Sequence, residues 1–276
     1  DLSKGSFKRP SLQLFSVPLV TAVRETVARG EQALLFLNRR GYSTSVICLA
    51  CGYVHYCPNC SISLTHHKSF HGRATPVLYC HYCTYHEPLP TKCKSCGATN
   101  ISLLGIGTEK LEEEARLLFP EARIARLDSD VTSKKGVLFK TLVAVQRGEV
   151  DILIGTQMIA KGHDFPKITL VGVVLADSSL HFPDFRAPEK TFQLITQVSG
   201  RAGRGIYPGR VIIQTYHPDH YAIQAARKQN FGIFWDKELN YRHDLCYPPF
   251  WKLVNFRISS NSEEKVKSFS EDLKTK

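Results

Sequence analysis

The chain has 276 residues, 43% hydrophobic content and a formal charge of +11. That length and apolar content suit one substantial α/β domain with small attachments, and no apolar run approaches the ~20 residues of a membrane span. The basic excess is compatible with nucleic acid or acidic surfaces, yet it is dispersed along the chain and not gathered into a tail, so charge alone does not choose a partner.

Taken in chain order, residues 18–29 read as a helix, with Pro18 at its start and Gly30 beyond its end. Residues 33–37 form an apolar run expected to be a buried strand. The chain opens at Asp1 and its only methionine is Met158, so a piece of a longer polypeptide is expected. No stretch reads as a signal peptide.

Eight of the nine cysteines then follow as four CxxC pairs: Cys48/Cys51, Cys57/Cys60, Cys80/Cys83 and Cys93/Cys96. A two-residue gap lets two thiolates turn toward one ion, and two such knuckles complete a closed tetrahedral site. Gly52 and Gly97 follow second cysteines and Pro58 lies inside a pair, as tight knuckle turns require. Two structural Zn²⁺ ions are expected. Nested pairing would join Cys48, Cys51, Cys93 and Cys96 around one ion, and Cys57, Cys60, Cys80 and Cys83 around the other. It is favoured because it brings the two ends of residues 48–96 together. Sequential or interleaved pairing is compatible with the same spacing. Disulfides and iron–sulfur ligation are alternative uses of the cysteines.

Within the insert, Lys68, Arg73, Lys92 and Lys94 against Glu87 leave +3. Eight ionised thiolates and two Zn²⁺ bring that to about −1, so the insert is not the electropositive patch. Six histidines, including His55, His67 and His81, are unneeded as ligands if the thiolates suffice. Tyr53, Tyr56, Tyr79, Tyr82 and Tyr85 are expected mostly in its small core, although base stacking is open to them. Cys246, far from the others, is expected to be a packed thiol.

Beyond the insert, strands are expected at 102–104, 124–127, 152–154, 168–175 and 210–215, and helices at 108–119, 136–147 and 188–198. Alternation of this kind argues for a parallel sheet covered on both faces, with ligands gathered at the carboxyl ends of the strands. There is no GxxxxGK[ST] phosphate loop and no DExx-type acidic motif. Gly105-Ile106-Gly107 lacks the third glycine of a dinucleotide fingerprint and reads as a strand-to-helix turn.

Two segments carry more chemistry. Ile152–Pro166 leaves a strand for a polar loop, ILIGTQMIAKGHDFP, and Gln197–Arg204 reads QVSGRAGR, with two arginines three residues apart. That spacing lets both guanidiniums converge on one anion; surface ion pairing is the alternative. These segments resemble motifs V and VI of superfamily-two helicases, and FLNRRGY at 36–42 resembles motif IV. With GIGTEKLEE, LDSDVTSKKG and the cysteine insert in that position, nearly the whole chain is similar to the bacterial replication-restart primosomal helicases.

The resemblance implies a second RecA-like lobe at 1–47 and 97–240, a zinc insert at 48–96, and at 241–276 the start of a C-terminal α+β domain. It implies ATP with Mg²⁺ as cofactor of the whole enzyme, 3′-to-5′ DNA unwinding at branched forks, and a bacterial cytoplasmic location. Primosome proteins and single-stranded DNA-binding protein are the implied partners. Arg201 and Arg204 would reach the γ-phosphate, Gln197 would couple nucleotide to lobe closure, and Gly162 and Asp164 would approach the ribose. Thr156 would contact a DNA phosphate, with Arg39 and Arg40 as further DNA contacts. A non-catalytic zinc-ribbon module that binds nucleic acid or protein is the rival expectation.

Overall fold

The computed structural model describes residues 14–38, 45–67, 76–103, 107–128, 136–156, 165–203, 208–254, 256 and 258–275. The chain forms two compact units, Asp1–Glu238 and Leu239–Lys276.

The first unit is built on a five-stranded parallel sheet. Its strands are β1 (Gln32–Phe36), β7 (Ile124–Leu127), β8 (Ile152–Gly155), β9 (Ile168–Val173) and β10 (Arg210–Ile213), in the order β10-β9-β1-β8-β7. β1 is central, with Leu34 opposite Leu153 on one side and Val171 on the other. Every residue of β1, β8 and β9 is buried, as a sheet covered on both faces requires. Side chains alternate between the two faces. Ala33, Leu35 and Leu37 enter one core with Ile152, Ile154 and Leu170. Leu34 and Phe36 enter the other with Leu153, Val171 and Val173.

Helices cover both faces. α1 (Val17–Ala28) and α2 (Thr108–Leu118) close the first core through Leu19, Val23, Leu111 and Ala115. Ser16 caps α1 by accepting the Leu19 N–H. A Cβ on Gly172 would lie 2.7 Å from Leu19 Cδ1, so glycine there lets α1 sit down on β9. The opposite face is covered by α3 (Val137–Arg147), α5 (Ala187–Ser199) and α6 (Tyr221–Arg227). Val145, Phe192, Val198 and Ala222 supply that core, and Phe234 of α7 (Phe231–Asp244) stacks on Phe192 at 4.5 Å. Two buried glutamines hold chain crossings. Gln32 donates to the carbonyls of Val145 and Val150, while Gln214 donates to Leu14 O and accepts from Ser16 N–H.

Residues 45–103 leave and rejoin at the carboxyl end of β1. β2 (Val46–Cys48) and β6 (Ile101–Leu103) pair antiparallel, Cys48 opposite Ile101, to form a stem. The strand expected at 102–104 therefore belongs to this stem and not to the parallel sheet; three residues suffice for that pairing and the alternation pattern could not tell the two apart. Ile47 points into the sheet's core and Val46 into a separate small core with Cys57, Ile62, Leu64, Leu78 and Cys80. Above the stem, β3 (Thr65–His67), β4 (Val77–Tyr79) and β5 (His86–Pro88) form an antiparallel sheet. None of the five insert tyrosines is fully buried: Tyr82 and Tyr85 only pack against the small core, and Tyr56 is exposed as a residue although its hydroxyl reaches buried His181. Six buried side chains leave no room for more.

In the second unit, the Tyr247 N–H donates to Arg242 O, and His243 meets the edges of Phe250 and Trp251. Its regular elements among the described residues are the end of α7 and α8 (Glu263–Thr275), the helical part of the α+β expectation. Cys246 is exposed, with φ of 56°, and is not the packed thiol expected. It lies in the turn that ends α7, where no apolar neighbour covers it.

Candidate functional site

The eight clustered cysteines gather in the nested pattern: Cys48, Cys51, Cys93 and Cys96 in one group, Cys57, Cys60, Cys80 and Cys83 in the other. The Sγ atoms of Cys48 and Cys96 are 3.7 Å apart, those of Cys51 and Cys93 3.7 Å, and those of Cys57 and Cys83 3.4 Å. A disulfide needs about 2.05 Å. Four thiolates at about 2.3 Å from a tetrahedral ion lie about 3.8 Å apart. In each group all four sulfurs fall within 4.8 Å of one another, which leaves room for a single ion and none for a multi-iron cluster. Both groups can hold zinc.

The four knuckles share one backbone design. In each, the residue after the second cysteine donates its N–H to the first cysteine's carbonyl: Gly52 to Cys48, Ser61 to Cys57, Thr84 to Cys80 and Gly97 to Cys93, at 2.8–3.1 Å. The first cysteine's own N–H donates to the carbonyl five residues on, at Tyr53, Ile62, Tyr85 and Ala98. Closing so tight a turn requires the left-handed region, and φ is 79°, 53°, 63° and 73° at the four positions. Glycine occupies two of them. Ser61 and Thr84 adopt the conformation at some cost, and sequence reading, alert only to glycine, passes over them.

Thiol ionisation follows the surroundings. Burial pushes Cys51 up to about 12. Burial also opposes ionisation of Cys83, but the Tyr85 N–H, the Asn59 amide and neighbouring thiols outweigh it and bring Cys83 to about 6. Cys93 comes to about 7 against the same penalty, through the N–H groups of Cys96 and Ser95. Each group thus has one thiol whose surroundings favour the thiolate, the form that binds a cation. Glu87 ties the groups together. It accepts from Lys94 beside one group at 2.7 Å, from Tyr85 beside the other at 3.2 Å, and pairs with buried His55 at 2.8 Å.

Of the described residues in the segments resembling helicase motifs, Thr156 lies at the carboxyl edge of the sheet, whereas the turn after α5 lies at the amino edge, beside the starts of β9 and β10. Thr156 is buried directly after β8, its N–H directed at Leu127 O. Gln197, on the last turn of α5, is exposed, and Arg201, one turn beyond it, is half-buried. Arg201 lies in the turn just beyond the C-cap Gly200. After Arg201 the backbone folds back closely: a Cβ on Gly203, where φ is 70°, would lie 2.2 Å from Gly209 N. Gly203 also donates its N–H to Ile168 O at the start of β9. Only glycines permit this approach of two backbones, and it holds the arginine-bearing turn against the sheet. Arg204, Gly162, Asp164, Arg39 and Arg40 lie outside the described residues, as does Gly105-Ile106; Gly107 is the N-cap of α2.

Sequence reading missed one polar centre at the carboxyl edge of the sheet. Asp177 and His181 lie on α4 (Asp177–Leu180) and its C-cap, and His217 follows β10. Asp177 and His181 are buried, and Asp177 is ionised far below the usual carboxylate range: burial opposes this, and bonds from His181 and His217 outweigh it. The Tyr56 hydroxyl meets His181 Nδ1 at 2.6 Å, and the hydroxyls of Ser45 and Ser63 donate to His181 O. These contacts seat the insert on the lobe. The i, i+4 spacing of Asp177 and His181 was visible in the sequence, but its meeting with His217, 36 residues later, was not.

The family model for the helicase conserved C-terminal domain matches residues 98–205. The chain is 51% identical over 253 residues to replication restart protein PriA of Bacillus subtilis (strain 168), covering 92% of this chain and 31% of that protein. Over most of its length the chain is thus similar to the PriA replication restart proteins. Identity to PriA of Synechocystis sp. is 47% over 95% of this chain and 32% of the relative, and to PriA of Treponema pallidum 44% over 92% and 38%. The chain therefore spans about a third of the length of the PriA relatives it matches. Among solved structures, the Pyrococcus furiosus Hef helicase domain aligns with a TM-score of 0.35 and 16% identity, over 81% of this chain and 28% of that one. Among the described residues no helix is long and apolar enough to cross a membrane.

Proposed function

We propose that the chain is the second RecA-like lobe, with its zinc insert, of an ATP-dependent 3′-to-5′ DNA helicase that unwinds branched forks and directs primosome assembly for replication restart. The observation that carries this is the end of α5. Gln197 lies on its last turn and Arg201 in the turn that follows, and the Gly203–Gly209 backbone contact holds that arginine-bearing turn against the sheet.

The sequence has no phosphate loop, so the nucleotide's phosphates and Mg²⁺ belong on another lobe of the longer protein. When that lobe closes, Arg201 with Arg204 presents positive charge to the γ-phosphate and stabilises the charge of the transition state. Gln197 senses the same closure from one turn away. Gly162 and Asp164 belong at the ribose. Thr156 holds a DNA phosphate, positioning the strand without reading its sequence; Arg39 and Arg40 add charge to the same path. Zn²⁺ in the two cysteine groups supplies structure only. Its coordination by four thiolates is closed, and a 49-residue insert with so small a core depends on metal to fold. Contacts to primosome proteins and single-stranded DNA-binding protein are expected on that insert. Replication at forks places the protein in the bacterial cytoplasm.

Substituting Arg201 and Arg204 together by alanine in the full-length protein tests the assignment. DNA-stimulated ATPase should fall about a thousandfold or more while two zinc ions are retained, and the isolated chain should not hydrolyse ATP. Unchanged turnover in the double variant would sink the assignment of Arg201 and Arg204 to the γ-phosphate, and robust hydrolysis by the isolated chain would contradict the placement of the phosphate site elsewhere.

A further inference from the structure

Beyond the cysteines, one more set of ligand-type side chains converges on a point. Asp177 Oδ1, His181 Nε2 and His217 Nδ1 are separated by 2.8 Å (Asp177 to His217), 3.3 Å (His181 to His217) and 3.8 Å (Asp177 to His181). Nitrogen and oxygen ligands at about 2.0–2.1 Å from a tetrahedral ion lie about 3.3 Å apart. The three observed separations straddle that value.

Hydrogen bonds cannot serve all three lines at once. If the Tyr56 hydroxyl donates to His181 Nδ1, then Nε2–H faces His217 Nδ1. His217 Nδ1 must then either turn a bare lone pair on the Asp177 carboxylate or set a second hydrogen against the first. If His181 Nδ1–H instead donates to Tyr56, the bare Nε2 faces the carboxylate across 3.8 Å. Every tautomer leaves at least one line without a hydrogen bond, and at 3.8 Å the Asp177–His181 line is too long for one. A cation at the centre satisfies all three.

The surroundings suit such an ion. The other nitrogen of His181 is held by Tyr56, and Asp177 accepts from Tyr216 N–H and the Thr215 hydroxyl, so two of the three ligands are oriented by their own partners. Asp177 and His181 are buried, and the His217 side chain, 33% exposed, gives an ion access to the centre. Two imidazoles and a carboxylate are a ligand set for zinc and its first-row neighbours.

We propose that Asp177, His181 and His217 bind a third divalent metal ion, of the zinc class, that pins the cysteine insert to the carboxyl edge of the sheet. The pin has two attachments. His181 carries Tyr56, Ser45 and Ser63 of the insert, and His217 lies against the Gly52 knuckle, where an added Cβ would approach its Cε1 to 3.3 Å. This site is independent of the nucleotide roles given above and of the thiolate sites.

Equilibrium dialysis of the chain against zinc, with metal and protein measured on the same sample, decides it. Three ions per chain are expected for the wild type and two for His217→Gln, which changes the most open ligand. Asp177→Asn should also bind two. Two ions in the wild type, or three in His217→Gln, overturns the proposal. The same dialysis with Co²⁺ separates this site from the cysteines. Thiolate sites give sulfur-to-cobalt charge-transfer absorption, which both variants should keep in full, and the third ion adds none. Loss of that band would report on the cysteine sites, while the difference of one ion between wild type and variant still reports on the third.

Discussion

His220 shows how a single side chain can make this fold sensitive to acid. Its Nδ1 accepts the Ala222 N–H at the start of α6, and its ring stacks on Tyr221 at 4.5 Å. Burial, helped by His181 and His217, pushes its pKa down to about 4 from an ordinary value of 6.5. The folded pKa is the lower one, so on acidification the unfolded chain takes up this proton first. Stability from His220 is complete above about pH 6.5 and declines between there and about 4. Urea midpoints measured across that range should fall with pH for the wild type. His220→Asn keeps a capping acceptor and should give a shallower decline; an unchanged slope would remove His220 as a cause. Little of this was legible beforehand, because a capping histidine has no sequence signature apart from the fold around it.

At the scale of elements, the knuckles separate two reasons for glycine. Gly97 needs only its φ of 73°, with nothing near where a Cβ would stand. Gly52 needs its φ of 79° and also the absence of a Cβ, which would fall 2.3 Å from Tyr216 Cβ. Gly97→Ala should therefore cost about 1 kcal/mol, and Gly52→Ala distinctly more. Chelator concentrations at which zinc is released, compared for the two variants, check the order. The parallel strands and the helices α1, α2, α3 and α5 were legible, since Pro18 at a helix start and apolar runs such as 168–173 are local signals, whereas α6, α7 and α8 went unread. The stem was not legible. β6 is three residues long, and only its partner β2, more than fifty residues earlier, shows where it belongs. The short helix α4 was missed for the same reason: four residues carry no periodicity.

For the whole molecule, the division of the core into three clusters sets how it comes apart. The two larger clusters belong to the sheet and its helices, and the third to the insert alone. Removing zinc with a strong chelator under reducing conditions should unfold the insert while the sheet persists. Amide exchange should lose protection across 46–103 and keep it in 32–36, 152–155 and 168–173. Loss of protection throughout would mean that the stem's Ile47 is indispensable to the larger core. The cysteine groups were legible because thiolate chemistry fixes their spacing. The Asp177, His181 and His217 centre was not, because the segments after β9 and β10 meet there only once the sheet has formed.

The antiparallel stem also bears on how quickly the sheet can form. β1 and β8 are neighbours, yet the chain between Phe36 and Ile152 must be closed into a loop before they meet. With metal joining Cys48 to Cys96, most of the insert becomes a side branch, and the effective loop shrinks by some forty per cent. Loop-closure entropy then opposes pairing by roughly 0.5 kcal/mol less. The stem, once clipped, brings the two halves of the central sheet within reach of one another early in synthesis or refolding. An ion bound wholly outside the sheet would thus shorten the search by which the sheet finds its order.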